Sequence, residues 1–273
     1  MRTGGFGFQH DNVRMPDADD TAVALDALGA ALARPELPAP LRAAANDAAA
    51  RAQRFLFAMQ NDDGGWPAFV QGLPGKPPGP ILTRRPSPRR LLDLLQPAYA
   101  LGDPATEDVT ARVLRALAAQ GLTASHPRVA RGLAFLARQV APSGAMWGRW
   151  STNYVWATAH ALLGAAAVGG HPAWADAATR WLAGHQASDG SYGEGPESYA
   201  DPSRAGVGSG MAAPTALVLE AAVAQGRSRS STATRAAAWL LAHQRDDGGW
   251  PDGGHLQAIV PPGTFYRYPG AAR

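Results

Sequence analysis

Four stretches of the chain repeat one another: "AQRFLFAMQNDDGGW" (52–66), "ARGLAFLARQVAPSGAMW" (130–147), "ATRWLAGHQASDGSYG" (178–193) and "TRAAAWLLAHQRDDGGW" (234–250). No other feature limits the fold as much. A repeat of this length is one supersecondary unit, and it buries its apolar face by stacking on its neighbours. Each copy reads as an amphipathic helix with a basic start, an aromatic–aliphatic pair and a Gln near its end, followed by a Gly-containing turn and an aromatic. Asp, Ser and Gly supply the turn chemistry and the positive-φ positions. The Gln amide is placed to bond orphan groups of neighbouring helix ends. Trp66, Trp147, Tyr192 and Trp250 are expected to fold back on their turns as structural residues.

A second set of helices is expected between these, at about 19–33, 106–119, 153–168 and 211–225, rich in Ala, Leu, Val and Thr and poor in charge. Hydrophobic residues are 46% of the chain, and they are dominated by Ala, the best helix former. Polar-faced helices alternating with apolar ones define an all-α, α/α arrangement with inner helices lining a core and outer helices shielding them. The 31 Gly and 23 Pro gather between the helices. Loop 67–97 is long and Pro-rich, and a loop of that length is usually functional or disordered.

Composition removes several classes. The chain has no Cys, so disulfides and thiolate metal sites are excluded. No apolar run approaches the roughly 20 residues of a membrane span, and "MRTGGFGFQH" does not read as a signal peptide. Net charge is only +3, and the basic pI reflects Arg in place of all but one Lys, Lys76. Apart from "TRRPSPRR" (83–90) the basic residues are scattered. Without interleaved aromatics this is no footprint for nucleic acid.

The stretch "RMPDADDTAVALDALGAAL" (14–32) sets Asp17, Asp19 and Asp20 at the mouth of an apolar helix. Two readings are open. Asp is favoured at a helix N-terminus by capping and by the macrodipole. Alternatively, carboxylates a few Å apart cannot all ionise easily, so one keeps its proton and becomes an acid. In "TEDVTARVL", Asp108 and Arg112 stand one helical turn apart, as a surface ion pair or as part of the same acidic site.

The Gln…Gly…Trp repeats together with "FGFQHDNVRMPDADDTAVAL" resemble squalene–hopene cyclases and the wider class II terpene cyclase family, in the C-terminal half that carries the Asp-x-Asp-Asp motif. "GDPATEDVTARVL" (102–114), "GRWSTNYVWAT" (148–158), "DGSYGEGPESYADPSRAGVGS" (189–209) and "PPGTFYRY" (261–268) follow in family order. The resemblance implies an α/α barrel over 1–273 as a single domain. Four helix pairs are visible against the family's six-pair barrel (roughly six, as a repeat array), and the family's second α/α domain is not expected here.

The resemblance also implies a reaction. Protonation of a terminal alkene or epoxide would start cyclisation of a linear polyisoprenoid: squalene, or a farnesyl or geranylgeranyl derivative. Asp19 would donate the proton, with Asp17 and Asp20 orienting and polarising it. Asp108 and Arg112 would stand beside it, Arg112 occupying a family His position. Arg there would lower the pKa of Asp19, unless Asp108 takes the guanidinium and leaves Asp19 alone. Phe8, Phe69, Trp150, Trp156 and Phe265 fall on family cavity positions, where ring faces stabilise cations, while Asn153 and Tyr154 are ambiguous.

Two departures stand out: Pro214 at the family's Gln position, and a loop 70–96 of its own sequence. No cofactor is expected, with Mg²⁺ entering only if the substrate is a diphosphate. The expected partners are a homodimer mate or a separately encoded second cyclase domain, and the expected location is cytoplasmic with peripheral membrane contact. The competing reading is a non-catalytic isoprenoid-binding subunit. A zinc-dependent prenyltransferase type is disfavoured by the lack of Cys and by the scatter of His160, His171, His185 and His243.

Overall fold

The computed structural model describes residues 4–7, 15–72, 103–199 and 201–251, together with the backbone of two later strands. Among these residues the helices are α1 (Ala18–Leu32), α2 (Ala39–Met59), α3 (Glu107–Ala118), α4 (Pro127–Gln139), α5 (Tyr154–Ala167), α6 (Ala175–Gly184), α7 (Ala212–Ala224) and α8 (Ser231–His243). Strands β1 (Phe6–Gly7) and β2 (Pro16–Asp17) pair antiparallel, with Phe6 opposite Asp17, and so do β3 (Gln257–Ile259) and β4 (Thr264–Tyr266). Both sets of expected helices are present at their expected places. Residues 73–102, Phe8 and the side chain of Phe265 lie outside the described residues.

The chain forms two compact units. In the first, α1 packs on both α2 and α3. Helix α1 buries Ala18, Thr21, Ala22 and Leu25, the i, i+3, i+4, i+7 stripe of an amphipathic helix. Helix α3 buries most of its length, including Val109, Ala111, Val113, Leu114 and Leu117. In the second unit α7 packs on α8, and Val155, Ala157, Ala159, Ala161, Leu162 and Leu163 of α5 are buried.

The repeat turns behave as their composition dictates. Asp63, Ser143, Asp189 and Asp247 each accept the backbone N–H two residues on, at 2.9, 3.3, 3.0 and 3.0 Å. The glycine between takes positive φ each time: 92° at Gly64, 95° at Gly144, 97° at Gly190 and 81° at Gly248. At Gly64 a Cβ would also stand 2.5 Å from the Arg131 carbonyl oxygen on α4, so the turn needs glycine for space as well as for conformation. Gln60 donates to the carbonyls of Gly64 (2.8 Å) and Arg128 (2.9 Å), and Gln186 to those of Gly190 and Thr232 (both 2.9 Å). Each of these Gln residues therefore ties its own turn to the next outer helix. The indoles of Trp66 and Trp250 donate back to the carbonyls of Leu56 (2.6 Å) and Leu240 (2.8 Å).

One expectation is corrected. The residue that follows the turn of the second repeat in register is Met146, not Trp147. Met146 N–H makes the bond that Trp66 and Tyr192 make in their repeats, while Trp147 lies edge-on to Tyr199 at 6.3 Å. His185 and His243 have structural roles. Each lies against the ring of the Trp four residues earlier, at 4.2 Å, tilted at His185 and stacked at His243, and bonds that residue's carbonyl through Nδ1.

Candidate active site

The acidic motif lies at the start of α1. Asp17 is the N-cap: its backbone is extended (φ −129°, ψ 163°), and its Oδ1 accepts the N–H of Asp20 at 2.7 Å. The capping reading of this motif is therefore correct for Asp17, and Asp19 and Asp20 follow in the first turn, where the helix dipole favours negative charge. Capping does not account for the burial, however. Asp17 is 2% exposed, and its Oδ2 has no hydrogen-bond partner. Burial pushes its carboxyl from an ordinary 3.8 up to about 8, helped by the charges of Asp20 and Asp19.

Asp19 receives its partner from α3. Nη1 of Arg112 reaches Oδ1 at 2.7 Å and Oδ2 at 2.6 Å, across 93 residues of sequence. The alternative in which Asp108 takes the guanidinium and leaves Asp19 alone is thus overturned. Arg112 does pull the Asp19 pKa down, as expected, but it does not decide the net direction. Burial raises it, Arg112 pulls it down, the Asp108 charge raises it again, and the net direction is upward. The reason is that removing a carboxylate from water costs more than one cation returns. Asp108 is 2% exposed on α3, and Asp20 is half-buried on α1. Asp17, Asp19, Asp20, Asp108 and Arg112 all belong to the first unit, and all of the charges except Asp108 and Arg112 come from one helix end.

Of the aromatic candidates, Phe69 is tied to this site through the backbone. The carbonyl of Ala68 accepts the N–H of Ala18, the first residue of α1, at 2.7 Å. The carboxylate of Asp103, 2% exposed, accepts the N–H groups of Ala68 (3.1 Å), Phe69 and Val70 (2.8 Å). Phe69 is half-buried between these anchors. Trp150 and Trp156 belong to the second unit. The Arg149 guanidinium sits 5.0 Å from the Trp150 ring centroid, so one region of that π-face already serves a cation. Trp156 meets His160 edge-on at 5.0 Å. Asn153 is fully buried and has a structural role, accepting from Gly148 N–H and donating to Ser198 Oγ.

Sequence reasoning missed a register that organises all of these helices. Thr21, Thr110, Thr158 and Thr215 are each 0% exposed. Their hydroxyls accept the N–H of Phe6, Trp66, Met146 and Tyr192 at 2.8, 2.9, 2.8 and 2.9 Å. The signal was present as "TAVAL", "TARVL", "TAHAL" and "TALVL". Two residues before each Thr stand Asp19, Asp108, Trp156 and Ala213, and two residues after stand Val23, Arg112, His160 and Leu217. The acids and Trp156 thus occupy one repeated position. Asp103 and Glu194 were also missed. The latter is 3% exposed, and its Oε2 accepts the N–H groups of Asn153 (3.2 Å) and Val155 (2.8 Å) at the start of α5. No local sequence signal marks either residue, because their partners lie 33 to 41 residues away.

Alternating helices, Gln-anchored turns and a buried acidic helix end define a protein of the α/α-barrel terpene cyclase class. The squalene–hopene cyclase C-terminal domain family matches residues 1–270, and the chain belongs to that family. It is 34% identical over 271 residues to the squalene–hopene cyclase of Alicyclobacillus acidocaldarius, covering 97% of this chain and 40% of that protein. A terpene cyclase–glycosyl transferase fusion protein of Humicola fuscoatra is 31% identical over 295 residues, covering 98% of this chain and 20% of the fusion. The chain thus spans about 40% of the length of the squalene–hopene cyclases that it matches. In fold it is similar to the type II terpene cyclase MstE from Scytonema (TM-score 0.59, 19% identity, 96% of this chain and 64% of that one). A protein from Actinoplanes is similar too (TM-score 0.60, 24% identity, 94% and 65%). Among the described residues no helix is long and apolar enough to cross a membrane, and no cluster of His, Asp and Glu is arranged to hold a metal ion.

Proposed function

We propose that this chain is the acid-bearing part of a class II terpene cyclase and that Asp19 protonates the terminal double bond or epoxide of a linear polyisoprenoid. One observation carries the reading. Asp17, Asp19 and Asp20 are gathered at the head of α1, Asp108 of the neighbouring α3 adds its charge to Asp19, and the carboxyls of Asp17 and Asp19 are raised by burial. An alkene is a very weak base, so the acidic site must hold a proton at neutral pH and lie out of bulk water.

In the protonation step the O–H bond of Asp19 breaks; with an alkene a C–H bond forms at the substrate terminus from the π electrons, and with an epoxide an O–H bond forms on the ring oxygen as the ring C–O bond breaks. A tertiary cation results, and the next double bond attacks it. Arg112 then stabilises the carboxylate left behind, which favours proton release although it opposes reloading. Phe69 would stabilise the travelling cation through its ring face, worth about 0.5–2 kcal/mol, and Trp150 and Trp156 are assigned that role on family position alone. Phe8 and Phe265 are assigned the same role on family position alone. Squalene and farnesyl or geranylgeranyl derivatives are the substrate class. The rest of the cavity would come from a second α/α domain, in the same or a separate polypeptide, or from a second copy of the chain.

Product analysis tests this. The purified chain, with and without a candidate partner domain, is incubated with squalene, farnesyl diphosphate and geranylgeranyl diphosphate, alongside Asp19→Asn. A cyclic product lost in the variant is expected. Cyclisation that survives Asp19→Asn would overturn the assignment. Binding of squalene without any product, with the partner present, would favour the non-catalytic isoprenoid-binding reading.

A further inference from the structure

We propose that Asp17 is the proton store of this site: at rest the proton sits on Asp17, while Asp19 is ionised against Arg112. The inference rests on the cyclase reading for its purpose but not for its test. Asp17 is almost wholly buried, one oxygen caps α1, and the other oxygen has no hydrogen-bond partner. An ionised carboxylate needs donors at both oxygens, and a buried one without them is expensive. A neutral carboxylic acid fits the same place. It keeps Oδ1 as the cap acceptor and carries its hydrogen on Oδ2.

The surrounding charges rank the two acids. From α1, Asp19 and Asp20 face Asp17 with like charge. On α3 the guanidinium of Arg112 is engaged by Asp19, and Asp108 adds negative field there. Helix α2, packed on α1, spends Arg42 on the carbonyls of Leu32 and Arg34, and pairs Arg51 with Asp47, while Arg54 is exposed. Among the described residues Asp19 has a cation and Asp17 has none. A shared proton therefore settles on Asp17 first.

Arming the site is then one proton transfer. It requires the Asp17 carboxyl to turn from its resting place, where Oδ2 has no hydrogen-bond partner; an O–H bond then breaks at Asp17 Oδ2 and one forms on the Asp19 carboxylate. Asp17 is left ionised, total charge is unchanged, and the Asp19–Arg112 pair loosens as its anion is neutralised. Asp17 acts through Asp19 and is a positioning and storage residue, not the group that meets substrate.

Infrared titration of the full chain decides the matter without turnover. The C=O stretch of a protonated carboxyl should persist at pH 7 and bleach as pH rises through about 8. It should be absent from Asp17→Asn and from Asp17→Ser, which keeps a capping oxygen and hence the fold, and present in Asp19→Asn. A band retained in both folded Asp17 variants overturns the proposal, as does a band lost only in Asp19→Asn, which would put the proton on Asp19. A band that behaves as expected in a chain giving no cyclic product upholds the store and counts against the cyclase reading alone.

Discussion

The Asp19–Arg112 contact can be measured as a coupling energy. Both side chains keep 23% of their surface exposed, so the pair lies between two regimes. Exposed pairs contribute about 0–1 kcal/mol, and breaking a buried pair costs about 3–5 kcal/mol. A coupling of about 1–3 kcal/mol follows for this geometry. The assay is a double-mutant cycle of wild type, Asp19→Asn, Arg112→Gln and the double variant, by chemical denaturation at 25 °C.

The pH dependence has a definite sign. The coupling exists only while Asp19 is ionised, and its carboxyl is raised. It should therefore be largest above that raised value and vanish as pH falls through it. A coupling under about 0.5 kcal/mol at every pH would refute the assignment of the guanidinium to Asp19. In a cyclase assay, Arg112→Gln removes the cation that favours the ionised acid. Its activity should then persist to higher pH than that of the wild type, the opposite shift contradicting the argument.

Other outcomes follow from the same geometry. Gly64→Ala meets both positive φ and the Arg131 carbonyl, whereas a Cβ added at Gly121 (φ 81°) would have nothing within 4 Å. Strain alone should cost Gly121→Ala about 1–2 kcal/mol, and strain with overpacking should cost Gly64→Ala about 2–5 kcal/mol; equal losses by denaturation would discount the clash. Thr110→Val leaves the buried N–H of Trp66 without its acceptor, for a loss of about 1–3 kcal/mol, and an unchanged midpoint would deny the register its role. Asp17 binds its proton more tightly folded than unfolded, at about 8 against 3.8. Its contribution to stability is therefore full below the lower value, falls as pH rises, and is gone above the higher one. Thermal midpoints measured across that window should decline less steeply in Asp17→Asn than in wild type.

Some of this was written in the sequence because its causes are local. Helix positions follow from apolar spacing within one helix, and the Gln, Asp and Gly of each turn act over a few residues, so both were legible. The composite motif also sufficed to place the chain in its family. The off-by-one reading at Trp147 shows the limit: two neighbouring residues satisfy the same pattern, and only the bond from Met146 to Thr158 separates them.

What the tertiary structure decided is the electrostatics. Asp17, Asp19, Asp20, Asp108 and Arg112 were all named from sequence, yet their pairing was not. Asp108 is four residues from Arg112 and Asp19 is 93 away, and the distant acid holds the guanidinium. A carboxylate's proton affinity depends on how much water reaches it and which charges lie within a few Å. Neither quantity exists until α3 lies against α1. The sequence by itself determined that acids would gather at the head of an apolar helix, and packing determined which of them is buried, which is paired and which is left with an unbonded oxygen.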